Sequence, residues 1–139
     1  MSKKVTIKTP EIQVSFDRGS YIDFPQKITQ SSVAAKLMRS LFEKGEIELH
    51  EVFLADFLDR ANQPIGYYRH SIGGISGTVV DTRILLGTAL KTLASGMLIC
   101  HNHPSGNIFP SQADKNLTKK LADGTKSLDI ALLDHTSLG

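Results

Sequence analysis

Two histidines and an aspartate in the second half of the chain have the residue types and the spacing of a metal site. His101 and His103 follow a short apolar run. In a strand, residues two apart project from the same face with Cα atoms roughly 6 to 7 Å apart, close enough for two imidazoles to share an ion. We expect Asp114 to return to the histidines from the first turn of a helix that follows a loop rich in proline and glycine. Two nitrogens and one oxygen suit zinc, and three protein ligands leave a fourth position for water, so the set predicts one zinc ion per chain at a catalytic site.

Two further side chains could complete the chemistry of such a site. A carboxylate must take a proton from the attacking water and pass it to the leaving group. Glu51 is the leading candidate, because it opens an apolar stretch in which a carboxylate without a function or a partner would be costly, and Glu48 is the next. Ser111 lies three residues before Asp114 and could donate its hydroxyl to a negatively charged tetrahedral intermediate. Ser111 and Asp114 also fit a capping box, and one serine can serve both roles.

The order of these residues resembles the JAMM (MPN+) metalloprotease pattern, a glutamate upstream of His-x-His-Pro and then, after six residues, Ser-x-x-Asp. The chain carries Glu51, HNHP at 101–104 and SQAD at 111–114. Within that superfamily, the segments CHNHPSGN, SQAD, LTKKL and LLDH are similar to bacterial RadC-like proteins, and the likeness runs from about residue 28 to the C-terminus.

The resemblance implies a fold and a set of roles. The fold is α/β, a mixed β-sheet flanked by helices in the three-layer arrangement of cytidine-deaminase-like domains. The implied domains are an N-terminal extension, partly extended, over 1–27 and a RadC-like JAMM domain over 28–139. Because the family domain usually continues past the LDH segment with a further strand, the sheet could lack its last strand. The implied roles are zinc ligation by His101, His103 and Asp114, acid and base chemistry by Glu51, and oxyanion support by Ser111.

The leading functional hypothesis is a zinc-dependent hydrolase of peptide or isopeptide bonds, that is, a metallopeptidase with a protein or peptide substrate. The alternative is a DNA-repair or recombination accessory of the RadC family with a non-catalytic metal site. Members of that family commonly carry a helix-hairpin-helix region, and nothing in residues 1–45 resembles one, so contact with DNA has weak support. A metal-dependent nuclease ranks lower still, because the HNH nuclease motif is spread over a ββα unit rather than contiguous.

Composition narrows the class of protein. At 139 residues, 40% hydrophobic and 22% charged, the chain is long enough for one ordinary globular domain. A net charge of +2 falls short of the clustered basic face typical of phosphate binding. Cys100 is the single cysteine, and the N-terminus lacks the apolar stretch of a signal peptide, which indicates a cytoplasmic protein. No apolar run is long enough to cross a bilayer, so we expect no membrane partner.

The elements that must position the candidate site follow from hydrophobic periodicity and from turn residues. The chain reads as strands and helices in mixed order with one hairpin. The predicted elements are extended structure over 4–16, a helix over 32–44, strands over 49–58 and 64–72, a helix capped by Asp81 and ending before Gly96, a strand over 97–100, a helix that starts at Ser111, and a strand over 130–133.

Three further residues have other expected roles. Cys100 precedes His101 and should point to the opposite face of the sheet, as a core thiol rather than a ligand. Asp134 and His135 could orient the zinc ligands, and a packed structural pair explains them equally well.

Overall fold

The computed structural model describes residues 4–13, 28, 30–72 and 80–139. These ranges contain three helices and four strands, and every element predicted after residue 30 is present in the predicted order. The helices are α1 (Ser31–Ser40), α2 (Thr82–Lys91) and α3 (Gln112–Ser127); the strands are β1 (Val52–Leu58), β2 (Pro64–Ile72), β3 (Gly96–Asn102) and β4 (Ala131–Leu138). Within the described ranges, no helix is both long enough and apolar enough to span a bilayer.

The four strands form one open mixed sheet in the order β2-β1-β3-β4. β1 is antiparallel to β2, its hairpin partner, and also to β3. β3 and β4 are parallel, and α3 makes the crossover that a parallel pair requires. β1 and β3 are the central strands, and every residue of both is buried. The candidate site therefore lies at the carboxyl end of β3, one of these two buried central strands.

Helices cover both faces of the sheet, so the predicted α/β fold with flanking helices is confirmed. Alternate residues of β1 and β3 point to opposite faces and build two separate cores. The first core packs α1 against one face, and its sheet residues are Val52, Leu54, Leu58, Leu98, Cys100 and Leu138. The second core packs α2 and α3 against the other face, with Phe53, Ala55, Phe57, Met97 and Ile99 from the sheet.

Several element boundaries differ from the sequence prediction. β1 begins at Val52 rather than at residue 49, because residues 43–50 form turns. α1 ends at Ser40 rather than at residue 44. β3 and β4 are longer than predicted, since pairing between them extends the ladder through the polar residues 134–137. Residues 4–13 form no strand, and residues 14–16 of the predicted extended segment lie outside the described residues.

Asp56 is a buried acid within the central strand β1. Its neighbours across the sheet are Tyr67 on β2 and Leu98 on β3, and the residue is 2% exposed. Its Oδ2 atom has no hydrogen-bond partner. Burial raises the pKa of Asp56 to about 7, although a hydrogen bond from the backbone of Phe57 opposes the shift. The folded protein therefore favours the protonated, neutral acid.

This raised pKa makes stability depend on pH in a predictable direction. Since the folded-state pKa exceeds the unfolded value, the contribution of Asp56 is fully present below pH 3.8 and is lost as pH rises toward about 7. Between pH 5 and pH 8 the wild type should lose roughly 2 to 3 kcal/mol of unfolding free energy relative to Asp56→Asn, whose amide does not titrate. Urea unfolding of both proteins at the two pH values measures the difference. A difference that stays constant from pH 5 to pH 8 would contradict the prediction.

Candidate metal centre

Three ligand atoms converge at the end of β3. His101 Nε2 lies 2.9 Å from His103 Nε2 and 3.4 Å from Asp114 Oδ2, and His103 Nε2 lies 3.7 Å from the same oxygen. A tetrahedral zinc ion with bonds near 2.0 to 2.1 Å spaces its ligand atoms about 3.3 Å apart. The three atoms thus have the separation and the chemistry that zinc requires, and within the described ranges they form the one such group of His, Cys, Asp or Glu side chains. These are the same three residues that the sequence analysis predicted as ligands.

The sheet fixes the positions of the two histidines. His101 lies within β3, is 3% exposed, and points to the α2 and α3 face, as Ile99 does. His103 follows the strand, and its backbone N–H donates to the carbonyl of Leu138 at 2.7 Å. This hydrogen bond to β4 therefore fixes the backbone at His103, the residue that carries the second imidazole. Gly106 then closes a turn by donating to the carbonyl of His103, with a positive φ of 82° that suits glycine.

Asp114 reaches the histidines from the first turn of α3. Ser111 is the N-cap of that helix, its Oγ accepts from the backbone N–H of Asp114 at 3.1 Å, and its own N–H donates to Asp114 Oδ2 at 2.8 Å. The capping box and the candidate ligand set therefore share one carboxylate, because the oxygen held by the cap is the one that faces the histidines. Burial would raise the pKa of Asp114, but the backbone N–H of Ser111 and the charge of His101 outweigh it and lower the pKa overall.

Glu51 lies just before β1 rather than within it, and it is partly buried. The pKa of Glu51 is raised, chiefly by burial; the charge of His103 lowers it and that of Asp114 raises it further. Its carboxylate thus lies within electrostatic reach of two members of the cluster. The alternative, Glu48, is exposed in the preceding turn, and Glu46 forms an ion pair with Arg69.

Asn102 is a structural element of the site that the sequence analysis missed. It lies between the two histidines, is 0% exposed, and points to the face opposite theirs. Its Oδ1 accepts from the backbone N–H of Val52, and its Nδ2 donates to the carbonyls of Ile47 and His50, each at 2.7 Å. These bonds tie the turn on both sides of Glu51 to β3. The one signal in the sequence was an amide residue at the end of an apolar run.

His135 approaches the far side of the His101 ring. His135 Nε2 lies 2.8 Å from His101 Nδ1, and His135 Nδ1 contacts the hydroxyl of Thr118 on α3. Burial, with a smaller contribution from the neighbouring His101, lowers the pKa of His135 to about 4. Burial also lowers the pKa of His101. Of the two roles left open for His135, the contact with His101 favours an orienting role.

Asp134 and Cys100 lie on the other side of the sheet. Asp134 lines a small hollow with Ile28 and Ala34, and its Oδ1 accepts from the backbone N–H of His135 at 2.9 Å. Cys100 is buried in the α1 core, as predicted, and burial raises the pKa of its thiol to about 12. Neither residue reaches the three ligand atoms.

A groove of about 580 Å³ opens beside the cluster. Its walls come from β3, β4, α3 and the loop that precedes α3. The residues most relevant to binding are His101, Ile108, Asp114, Lys115, Thr118 and His135. Ile108 and Phe109 on this loop are large apolar side chains exposed to solvent.

Comparisons with known proteins agree with the geometry. Residues 28–139 match the family model described as a RadC-like JAB domain. A UPF0758 protein of Flavobacterium johnsoniae is 44% identical over 110 residues, which are 79% of this chain and 47% of that protein. A UPF0758 protein of Acidithiobacillus ferrooxidans is 34% identical over 124 residues, 89% of this chain and 51% of that protein. The chain thus spans about half the length of these curated relatives.

The Asn102 hydrogen bonds can be tested through stability. Asn102→Leu keeps the side chain's approximate size but leaves the Val52 N–H and two carbonyls without their partner. Because unsatisfied buried polar groups cost about 1 to 3 kcal/mol each, we expect a loss of about 3 kcal/mol or more in unfolding free energy. Asn116→Ala, on the exposed side of α3, is the control and should change stability by less than about 0.5 kcal/mol. A loss below about 1 kcal/mol for Asn102→Leu in urea unfolding would show that these bonds do not hold the turn.

Proposed function

Because the chain belongs to the RadC-like JAB domain family, we propose that it is a zinc-dependent hydrolase that cleaves peptide or isopeptide bonds. The main support is the convergence of three ligand atoms at 2.9 to 3.7 Å with a carboxylate, Glu51, in electrostatic reach of them. The groove beside the cluster gives a polypeptide access to it. A protein or peptide is therefore the proposed substrate.

The metal ligands in this proposal are His101, His103 and Asp114, through the atoms that already face one another. When bound, zinc supplies a Lewis acid that polarises a carbonyl and lowers the pKa of water to about 7. The lowered pKa values of His101 and Asp114 keep both side chains in the deprotonated forms that a cation needs. With three protein ligands, the site keeps one position open to solvent or substrate, as catalytic zinc sites do.

Glu51 and Ser111 are the proposed catalytic residues. Glu51 takes a proton from the attacking water and passes it to the nitrogen of the leaving amine, and burial shifts its pKa upward, the direction that favours such a role. Ser111 lies beside the proposed ligand Asp114, and its hydroxyl is the proposed donor to the oxyanion of the tetrahedral intermediate. The N-cap of α3 thus has two functions.

The metal content of the purified chain tests the ligand set. Wild-type protein should hold about one zinc per chain, whereas His101→Ala and Asp114→Ala should lose it, because two remaining ligands cannot hold the ion against a chelator. Asp123→Ala is a matched control, since it removes an exposed aspartate from the same helix. Elemental analysis after dialysis against a weak chelator measures the ratio. Full zinc retention in both ligand variants would rule out this metal site.

Cleavage of a peptide library tests the role of Glu51. Glu51→Gln should keep its zinc and lose about 10²- to 10⁴-fold in the rate of cleavage, the usual contribution of a general acid and base. Glu48→Gln changes an exposed glutamate in the preceding turn and should cleave at the wild-type rate. Equal rates for Glu51→Gln and wild type would contradict the assignment. Salt-sensitive DNA binding that persists without zinc, in the absence of any cleavage, would instead favour the accessory-protein alternative.

A further inference from the structure

A chain of hydrogen bonds leads from α3 through β4 to the far side of His101. The Thr118 hydroxyl donates to the backbone carbonyl of Asp114 at 2.8 Å. The same hydroxyl contacts His135 Nδ1, and His135 Nε2 lies 2.8 Å from His101 Nδ1. Thr118 is one helical turn beyond Asp114. The series of hydrogen bonds therefore begins at one proposed ligand, Asp114, and ends at another, His101.

The position of each proton in this chain follows from counting donors. Thr118 has one hydroxyl hydrogen, and the carbonyl of Asp114 receives it, so toward His135 the hydroxyl oxygen can only accept. His135 Nδ1 must therefore carry a hydrogen. In a neutral imidazole the other nitrogen, Nε2, is then an acceptor, and it accepts from the Nδ1–H of His101. The lone pair of a neutral His101 is left on Nε2, which is the atom that faces His103 and Asp114.

We propose that His135 and Thr118 are positioning residues that fix the tautomer and the ring orientation of His101, so that its Nε2 lone pair is held ready for the metal. This inference rests on the proposed metal site. Neither residue touches the reacting atoms, and both act through His101. A metal-ligating histidine generally donates its other N–H to a fixed acceptor, and here that acceptor is a second histidine rather than a carboxylate.

The geometry excludes His135 as a further ligand to the same ion. His135 faces Nδ1 of His101, whereas the proposed ion lies at Nε2 on the opposite side of that ring. Phe53 lies beside the pair, since its ring is nearly parallel to that of His101 at 6.4 Å and edge-on to that of His135 at 6.2 Å. Both imidazoles also line the groove beside the cluster.

Matched variants separate hydrogen bonding from packing. Thr118→Val removes the hydroxyl at nearly constant shape, and Thr118→Ser keeps it. His135→Leu removes the acceptor, and His135→Gln places an amide oxygen close to the position of Nε2. In a competition assay of the full chain with a chromophoric chelator, we expect zinc affinity to fall about 10- to 100-fold in His135→Leu and about threefold to tenfold in Thr118→Val. Thr118→Ser and His135→Gln should recover most of the loss.

A second measurement requires no metal. Two-dimensional ¹⁵N–¹H spectra that correlate imidazole nitrogens with ring protons report the tautomer of each histidine in the zinc-free protein. We expect His101 to carry its hydrogen on Nδ1 in the wild type and to populate both tautomers in His135→Leu and Thr118→Val. Wild-type His101 protonated on Nε2 would overturn the inference, as would zinc affinities within twofold of wild type in both disrupting variants.

The two measurements separate this inference from the proposed function. If the wild type binds no zinc, the proposed function fails, and the tautomer of His101 still decides the role of His135 and Thr118. If zinc binds and cleavage occurs but both disrupting variants match the wild type, only the positioning role fails. Circular dichroism of each variant shows whether it is folded, and Thr118→Val carries the test if His135→Leu does not fold.

Discussion

The alignment of β3 between its two neighbours is the constraint on which the candidate site depends. His101 pairs with Phe53 on β1 and with Ser137 on β4. Because side chains alternate along a strand, a slip of one residue would turn both histidines toward α1 and place Asn102 near Asp114. The two apolar cores oppose such a slip, since it would exchange the residues of the α1 face with those of the α2 and α3 face. The hydrophobic packing of the sheet therefore determines where the imidazoles meet.

Electrostatics distinguishes two carboxylates near the candidate site. Asp114 accepts hydrogen bonds at the N-terminus of α3, and its pKa is lowered overall despite its burial. Glu51 is also partly buried, and burial together with the charge of Asp114 raises its pKa. Groups whose environments move their pKa values apart suit different roles, one as a permanent anion and one as a proton carrier. This contrast supports Asp114 as a ligand and Glu51 as the acid and base.

Local sequence patterns predicted the order of the elements and the members of the cluster, and the family resemblance implied the fold class. β2 was predicted with its observed bounds, and the start of α3 followed from Ser111 as a capping residue. One error falls where a distant part of the chain decides the structure. Residues 134–137 are polar and gave no strand signal, yet pairing with β3 makes them part of β4. The link between His135 and His101 depends on that pairing, so the sequence left its role open.

Alternation along the end of β3 explains how one tripeptide serves two parts of the site. His101 and His103 point toward α3, whose first turn supplies Asp114, and Asn102 points the other way. There its amide holds the turn that carries Glu51 through three hydrogen bonds of 2.7 Å. Glu51 precedes the first residue of β1 that pairs with a neighbouring strand, so strand pairing does not position it. The hydrogen bonds of the Asn102 amide position the turn instead. Both the proposed ligands and the proposed base therefore depend on three consecutive residues whose alternating directions the sheet enforces.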